Sequence, residues 1–425
     1  MRGESERLPG ALTAIALLLG GLVAGYVFGD TRTGHSVLDS TARFDAASSI
    51  VSGTVLAAVA AAIAAVVLNT RGELPTAPFI TALFGFGVVT AGALGAVPDP
   101  GARFSTPIGA GVLLGALAVY AGRRPAALIA LATGVLISAL VGNRLDEMLR
   151  VTSLTGSEFG WTAYTPVDSV PPPERALVVV AVVFIAVIAL VTAHLIAPPT
   201  AGAAGHLDRR TLGVGVVLPV IGGVLSWVFV AFTDRSWVWF VGAAAVAVTA
   251  WTGAHLLRGR DGALILVLVA ISGCALSSGF WVAESAVVLL IPAVLLIGGA
   301  VCGYRWPRLY AGMVALGVIA CSSLLDFAGL DLIPSVAYYL MFPLVAGFTA
   351  ASVLPMSGVG AAIALSAPFT LSITVTAFVA GAGAMPPLMF LRAATSPDPA
   401  AVTIVSVLLI GVCLLGLRSL ATRTT

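Results

Sequence analysis

Apolar residues gather along this chain into fourteen runs separated by short polar breaks. The runs cover approximately 9–29, 48–68, 77–96, 106–122, 125–143, 176–197, 211–233, 236–256, 262–279, 285–303, 309–327, 333–354, 358–382 and 401–418. A helix that crosses a bilayer needs about 20 mostly apolar residues. The runs are continuous rather than alternating, so they predict helices and not barrel strands. In lipid, helices also satisfy every backbone polar group within the segment. The expected fold class is therefore an all-α polytopic integral membrane protein with about 14 transmembrane helices. Runs 4 and 5 are separated only by an Arg-Arg turn, and runs 9 and 10 by a brief break from Gly279 to Glu284.

Composition agrees. Of 425 residues, 59% are hydrophobic and 9% charged, against about 25% charged in soluble domains. Mean hydropathy is +1.07. All 21 basic residues are arginine, which excludes any lysine chemistry and fits a GC-rich, actinobacterial type of coding bias. Arg2 and Arg7 precede the first run as they would a signal peptide. Its length and the lack of a small-x-small cleavage site before Asp30 favour a retained helix.

Charge sets the orientation. With the N-terminus inside and fourteen crossings, the inner side holds 13 arginines against 5 acidic residues, a net +8, and the outer side 8 against 14, a net −6. The expected location is the plasma membrane, multi-pass, with both termini cytoplasmic.

Two inner turns resemble each other. "GALAVYAGRRPAALIALATG" begins at Gly115 and "GGAVCGYRWPRLYAGMVALG" at Gly298. Pro125 and Pro307 lie 182 residues apart, an offset of six runs, which predicts a parallel repeat. The expected arrangement is 2 + 6 + 6: two N-terminal helices (1–76), a first six-helix bundle (77–257) and a second (258–425). Seven plus seven inverted repeats would also fit fourteen runs, but no match at an odd offset is visible.

Two parallel six-helix bundles resemble the major facilitator superfamily of secondary transporters. In that family a Gly-x-x-x-Asp-Arg-x-Gly-Arg-Arg motif links the second and third core helices. Gly122-Arg123-Arg124 match its last three residues, with Ala118-Val119-Tyr120-Ala121 where Asp-Arg would stand. Pro219, Gly222 and Gly223 fit the spacing of the family's Gly-Pro-x-x-Gly-Gly antiporter motif, with Leu218 in place of the first Gly. The resemblance implies alternating access between two bundles.

Candidate transport residues follow. Arg123 and Arg124 serve the inner turn, or simply bind anionic headgroups. Pro219, Gly222 and Gly223 form a hinge or a close helix contact. Glu284 and Asp326 are the carboxylates best placed for proton or ion coupling, against a plain reading as solvated interfacial acids. Trp227, Trp251, Tyr338 and Phe348 are candidates to line a cavity, and His194 and His255 read as interfacial. The four cysteines, Cys274, Cys302, Cys321 and Cys413, form no CxxC and read as packing residues. Neither catalytic, cofactor nor metal motifs are readable, and no basic patch points to nucleic acid. The partners expected are the lipid bilayer and a small solute. The function expected is export or exchange of a lipophilic or weakly charged solute. The alternative is an envelope-assembly protein (a lipid-linked flippase, a membrane-embedded transferase or a complex subunit) using outer acids such as Asp30, Asp146 and Glu147. Whether the chain is an enzyme stays open on this reading, with the weight against it.

Overall fold

The computed structural model describes residues 7–30, 40–71, 74–96, 101–122, 124–142, 173–197, 208–231, 237–257, 259–276, 286–328, 330, 332–353, 355, 357–383 and 399–422. Each of the fourteen apolar runs carries a helix, and no strand occurs among the described residues. The helices are α1 (Arg7–Asp30), α2 (Ser40–Thr70), α3 (Ala77–Ala93), α4 (Gly101–Ala121), α5 (Pro125–Ile137), α6 (Pro173–Ile196), α7 (Arg209–Ala231), α8 (Trp237–Leu256), α9 (Arg260–Leu276), α10 (Ala286–Arg305) and α11 (Leu309–Ser322). Next comes α12, made of Leu332–Val336, a π-helical turn Ala337–Met341 and Phe342–Ser352. α13 (Gly358–Gly383) and α14 (Pro399–Ala421) complete the chain. α5 also ends in a π turn, Ser138–Gly142, and α11 in a 3-10 turn, Ser323–Ala328. Among the described residues, eight stretches are long and apolar enough to cross a membrane, and most of the remaining helices are shorter but apolar. The chain is an all-α polytopic membrane protein.

Local chemistry sets the ends. Pro125 opens α5, where its missing N–H costs nothing. Gly122, at φ +56°, closes α4 in the left-handed region, the usual job of a glycine just past a helix end. α2 begins eight residues before the expected run, at Ser40 rather than 48. The added segment, STARFDAA, carries an Arg, an Asp and two hydroxyls, so hydropathy alone does not detect it.

Helix pairing divides the chain. α1 packs along α5 and α6, α2 along α4, and α3 against α4 and α6. The same scheme recurs eight helices later, where α9 packs along α13 and α14, α10 along α12, and α11 against α12 and α14. α1 and α2 are therefore not peripheral. Leu17 and Phe28 of α1 and Ala57 and Ala61 of α2 are fully buried. This packing runs across the 76/77 boundary expected from the sequence. It also places the recurrence at eight helices rather than six, so the turns at Pro125 and Pro307 are not equivalent. Both halves still run parallel, because eight is even.

The tightest pairs are backbone on backbone. A Cβ on Gly111 or Gly115 of α4 would overlap the carbonyls of Ala57 or Ala61 in α2. In the second half, a Cβ on Gly299 or Gly303 of α10 would overlap those of Leu344 or Phe348 in α12. Both are G-x-x-x-G contacts, in which the lack of side chains lets two backbones meet. In lipid there is no hydrophobic gain from pairing two apolar helices, so van der Waals contact of this kind decides which helices associate.

Candidate functional site

The two halves meet along a seam. α2, α4 and α5 of the first half face α13, α10 and α12 of the second, with α2 and α4 against α13 and α5 against α10, α12 and α13. Phe28 of α1 also reaches Phe369 of α13, with ring centroids 5.1 Å apart. The polar groups buried on α12 and α13 are hydroxyls that donate to carbonyls of their own helix, such as Thr349 to Val345 at 2.6 Å and Ser366 to Ile363 at 2.9 Å. Among the described residues no Asp, Glu or Arg is buried. Among the described residues the seam is thus free of buried charge and lined by small, apolar and hydroxyl groups.

One end of the seam, where odd-numbered helices begin and even-numbered ones finish, carries a distinct junction. Asp261 lies in the first turn of α9. The Ser357 hydroxyl donates to its Oδ2 at 2.7 Å, and the Ser357 N–H approaches its Oδ1 at 3.4 Å. The Gly360 N–H donates to Ser357 Oγ at 2.9 Å, the bond an N-cap serine makes to a free amide three residues on. A carboxylate here also complements the positive end of α13. Gly360 leaves no room for a side chain, since a Cβ would overlap the Asp261 carboxyl.

The same turn crosses the seam. A Cβ on Gly358 would lie 2.5 Å from the Ala118 carbonyl and 3.0 Å from Val119 Cα. α13 therefore begins directly against the last turn of α4. The Ala118 carbonyl also accepts the Gly122 N–H at 3.2 Å, so the Arg-Arg turn starts from the atom that α13 touches. Asp261→Asn removes the charge but keeps the shape. The expected loss is about 1 kcal/mol, read from thermal unfolding in detergent.

Two histidines lie at this end. His194 of α6 stacks on Phe79 of α3 at 4.1 Å and 6°, with Tyr120 of α4 at 6.2 Å. Its Nδ1 is buried with no hydrogen-bond partner among the described residues. His255 of α8 stacks on Trp251 at 5.5 Å; its Nδ1 lies 3.0 Å from the Trp251 carbonyl and its Nε2 3.0 Å from Ser419 Oγ of α14. A carbonyl only accepts, so Nδ1 carries the proton.

The residues singled out in the sequence do not converge. Arg124 is exposed at the N-cap of α5, and Arg123 lies outside the described residues. Pro219, Gly222 and Gly223 are buried in α7, and a Cβ on Gly222 would lie 2.9 Å from the Thr370 carbonyl of α13. In this pairing α7 is not the fifth helix of a six-helix unit, so the antiporter-motif position does not correspond. Glu284 lies outside the described residues, as does the Asp326 side chain in the 3-10 turn after α11. Of the aromatic candidates, Tyr338 is buried edge-on to Phe342 at 6.0 Å, and Phe348 is half-buried in α12. Trp251 sits in the α8–α14 contact, and the Trp227 side chain is outside the described residues. Asp261, Ser357, Gly358 and Gly360 were not singled out. Ser357 just before an apolar run is an N-cap signal, but nothing in one sequence pairs it with Asp261.

No protein-family profile matches the sequence, and no curated protein is similar to it. Solved structures similar to this chain include the human organic anion transporter MFSD10, at TM-score 0.49 and 13% identity over 96% of this chain and 99% of that one. The major facilitator superfamily transporter FucP in its outward conformation gives 0.47 and 15% over 98% and 99%. An auto-inhibited peptide transporter of the POT family gives 0.48 and 12% over 99% and 96%. With such identities and scores below 0.5, the function of this chain is read from its own packing.

Proposed function

We propose that this protein is a secondary transporter of the plasma membrane that moves a small, neutral or lipophilic solute by alternating access. The observation that carries the reading is the recurrence of one helix-pairing scheme in two parallel halves that meet along a neutral seam. The division we propose is 6 + 2 + 6, with α1–α6 and α9–α14 as the bundles and α7–α8 as an inserted pair. Rocking of two such units about a shared interface opens the seam at one end and closes it at the other. The arginine-bearing end is taken as cytoplasmic, which puts both termini inside. Gly358 on Ala118 then closes the inner side.

Burying an ionised solute in a seam without a buried partner charge is costly, which favours a weakly charged cargo. Proton or ion coupling would fall to Glu284 or Asp326. The envelope-enzyme alternative rests on Asp30, Asp146 and Glu147; Asp146 and Glu147 lie outside the described residues, as does the Asp30 side chain.

The test is flux into proteoliposomes across a panel of neutral, lipophilic and charged solutes. Uptake of at least one uncharged solute above empty liposomes is expected, and flux confined to highly charged solutes would refute the cargo class. Arg124→Ala keeps flux within about two-fold, since an exposed headgroup contact contributes on the order of 1 kcal/mol or less.

A further inference from the structure

The inserted pair does not sit apart from the seam. α7 lies against α2 of the first bundle and α13 of the second, so it bridges the α2–α13 contact on one side. If the bundles rock, α7 has to travel with one of them and move over the other.

Its attachments to the second bundle are keyed. α8 passes into α9 through a short turn at Gly259, φ +57°, and a Cβ on Gly262 of α9 would overlap the Ala254 carbonyl of α8. His255 of α8 is hydrogen-bonded to Ser419 of α14 at 3.0 Å, and a Cβ on Gly416 would lie 3.4 Å from the Trp251 ring. Gly222 of α7 backs onto the Thr370 carbonyl. α7 and α8 hold each other in turn, since a Cβ on Gly253 of α8 would overlap the Leu218 side chain.

The approach to the first bundle is smoother. A Cβ on Gly215 would lie 2.7 Å from the Ala62 methyl of α2 and 3.0 Å from the Ile363 side chain of α13; at helical spacing from Ala62, α2 carries the buried Ala58 and Ala65. In sequence, residues 197–208 stand between α6 and α7, whereas only 257–259 stand between α8 and α9. Methyl groups on a helix give shallow ridges with little to interlock, whereas a backbone–backbone contact with a hydrogen bond beside it has one register.

We propose that α7 and α8 form a strap that moves as one body with the second bundle and slides over α2 of the first, covering the seam from lipid as it opens. The proposal rests on the alternating-access reading. It makes the moving boundary fall between α6 and α7 rather than between α8 and α9.

Spin-label distances in lipid nanodiscs test it. The exposed Cys302 and Cys321 are replaced by serine, while Cys274 and Cys413 are buried. Labels go on exposed arginines at one end: Arg124 on the first bundle, Arg308 on the second and Arg210 on the strap. Three pairs are compared with and without the wedge Gly358→Val, and with the milder Gly358→Ala should valine prevent folding. The wedge is expected to shift the Arg124–Arg308 and Arg124–Arg210 distances together and to leave Arg210–Arg308 unchanged. A shift in Arg210–Arg308, with or without one in Arg124–Arg210, overturns the strap. No shift in Arg124–Arg308 overturns the alternating-access reading of the seam, and the strap with it.

Discussion

Gly299→Leu is expected to destabilise the protein by about 3 kcal/mol, while Gly298→Leu, one residue earlier, changes stability by less than about 0.5 kcal/mol. A Cβ on Gly299 would overlap the Leu344 carbonyl, but one on Gly298 meets nothing within 4 Å. The leucine at 299 would have to displace backbone of α12, which yields far less than a side chain. Its cost therefore falls at the upper end for overpacking. At 298 the side chain starts in open space, with nothing within 4 Å of its Cβ. Gly111→Leu should repeat the 299 result in the first half, since a Cβ there would overlap the Ala57 carbonyl. Thermal unfolding in detergent reads all three. Equal effects at 298 and 299 would mean that α10 and α12 do not pair through this face.

Gly358→Val has the second large effect, on function rather than stability. Its Cβ would lie 2.5 Å from the Ala118 carbonyl, so the first turn of α13 has to back away from α4. The state in which this end is closed pays about 1–3 kcal/mol of overpacking, and the open state pays none of it. A population shift of about five-fold to a hundred-fold follows, at about 1.4 kcal/mol per factor of ten. Flux falls by a similar factor if return to the inner-closed state limits the cycle. Gly360→Ala is the companion. It pushes on the Asp261 carboxyl within the second bundle rather than across the seam, so it should lower stability and spare the conformational balance. Proteoliposome flux and unfolding temperature, measured for both variants, separate the two roles.

The fourteen helices were legible because each has an apolar run near bilayer length and a polar or proline break after it. Even the short turn between α4 and α5 was readable from Gly122-Arg123-Arg124-Pro125. The pairing was not. The echo between Gly115 and Gly298 is real chemistry at non-equivalent places. In both, a helix with a G-x-x-x-G face ends in an arginine turn. In the first half that helix is α4, the partner of α2; in the second it is α10, the counterpart of α2 itself. Glycines mark a close approach without naming the partner, so one sequence leaves the offset ambiguous between six and eight. The Asp261–Ser357 contact spans 96 residues, and no local pattern signals it. A Cβ on Gly222 would lie 2.9 Å from the Thr370 carbonyl, so α7 closely approaches α13, and no pattern around Pro219 and Gly222 in the sequence names that partner.

In the proposed mechanism the two bundles move against each other, and the contact of Phe28 with Phe369 has to change as they do. The most direct measurement uses Phe28→Cys with Phe369→Cys, whose native rings lie 5.1 Å apart, in the Cys302→Ser, Cys321→Ser background. A short bifunctional methanethiosulfonate joins the pair, and flux of a transported solute is followed before linking, after linking and after reduction with dithiothreitol. Flux is predicted to fall to that of empty liposomes on linking and to return on reduction, with neither single cysteine affected. Undiminished flux through the linked protein would contradict the account.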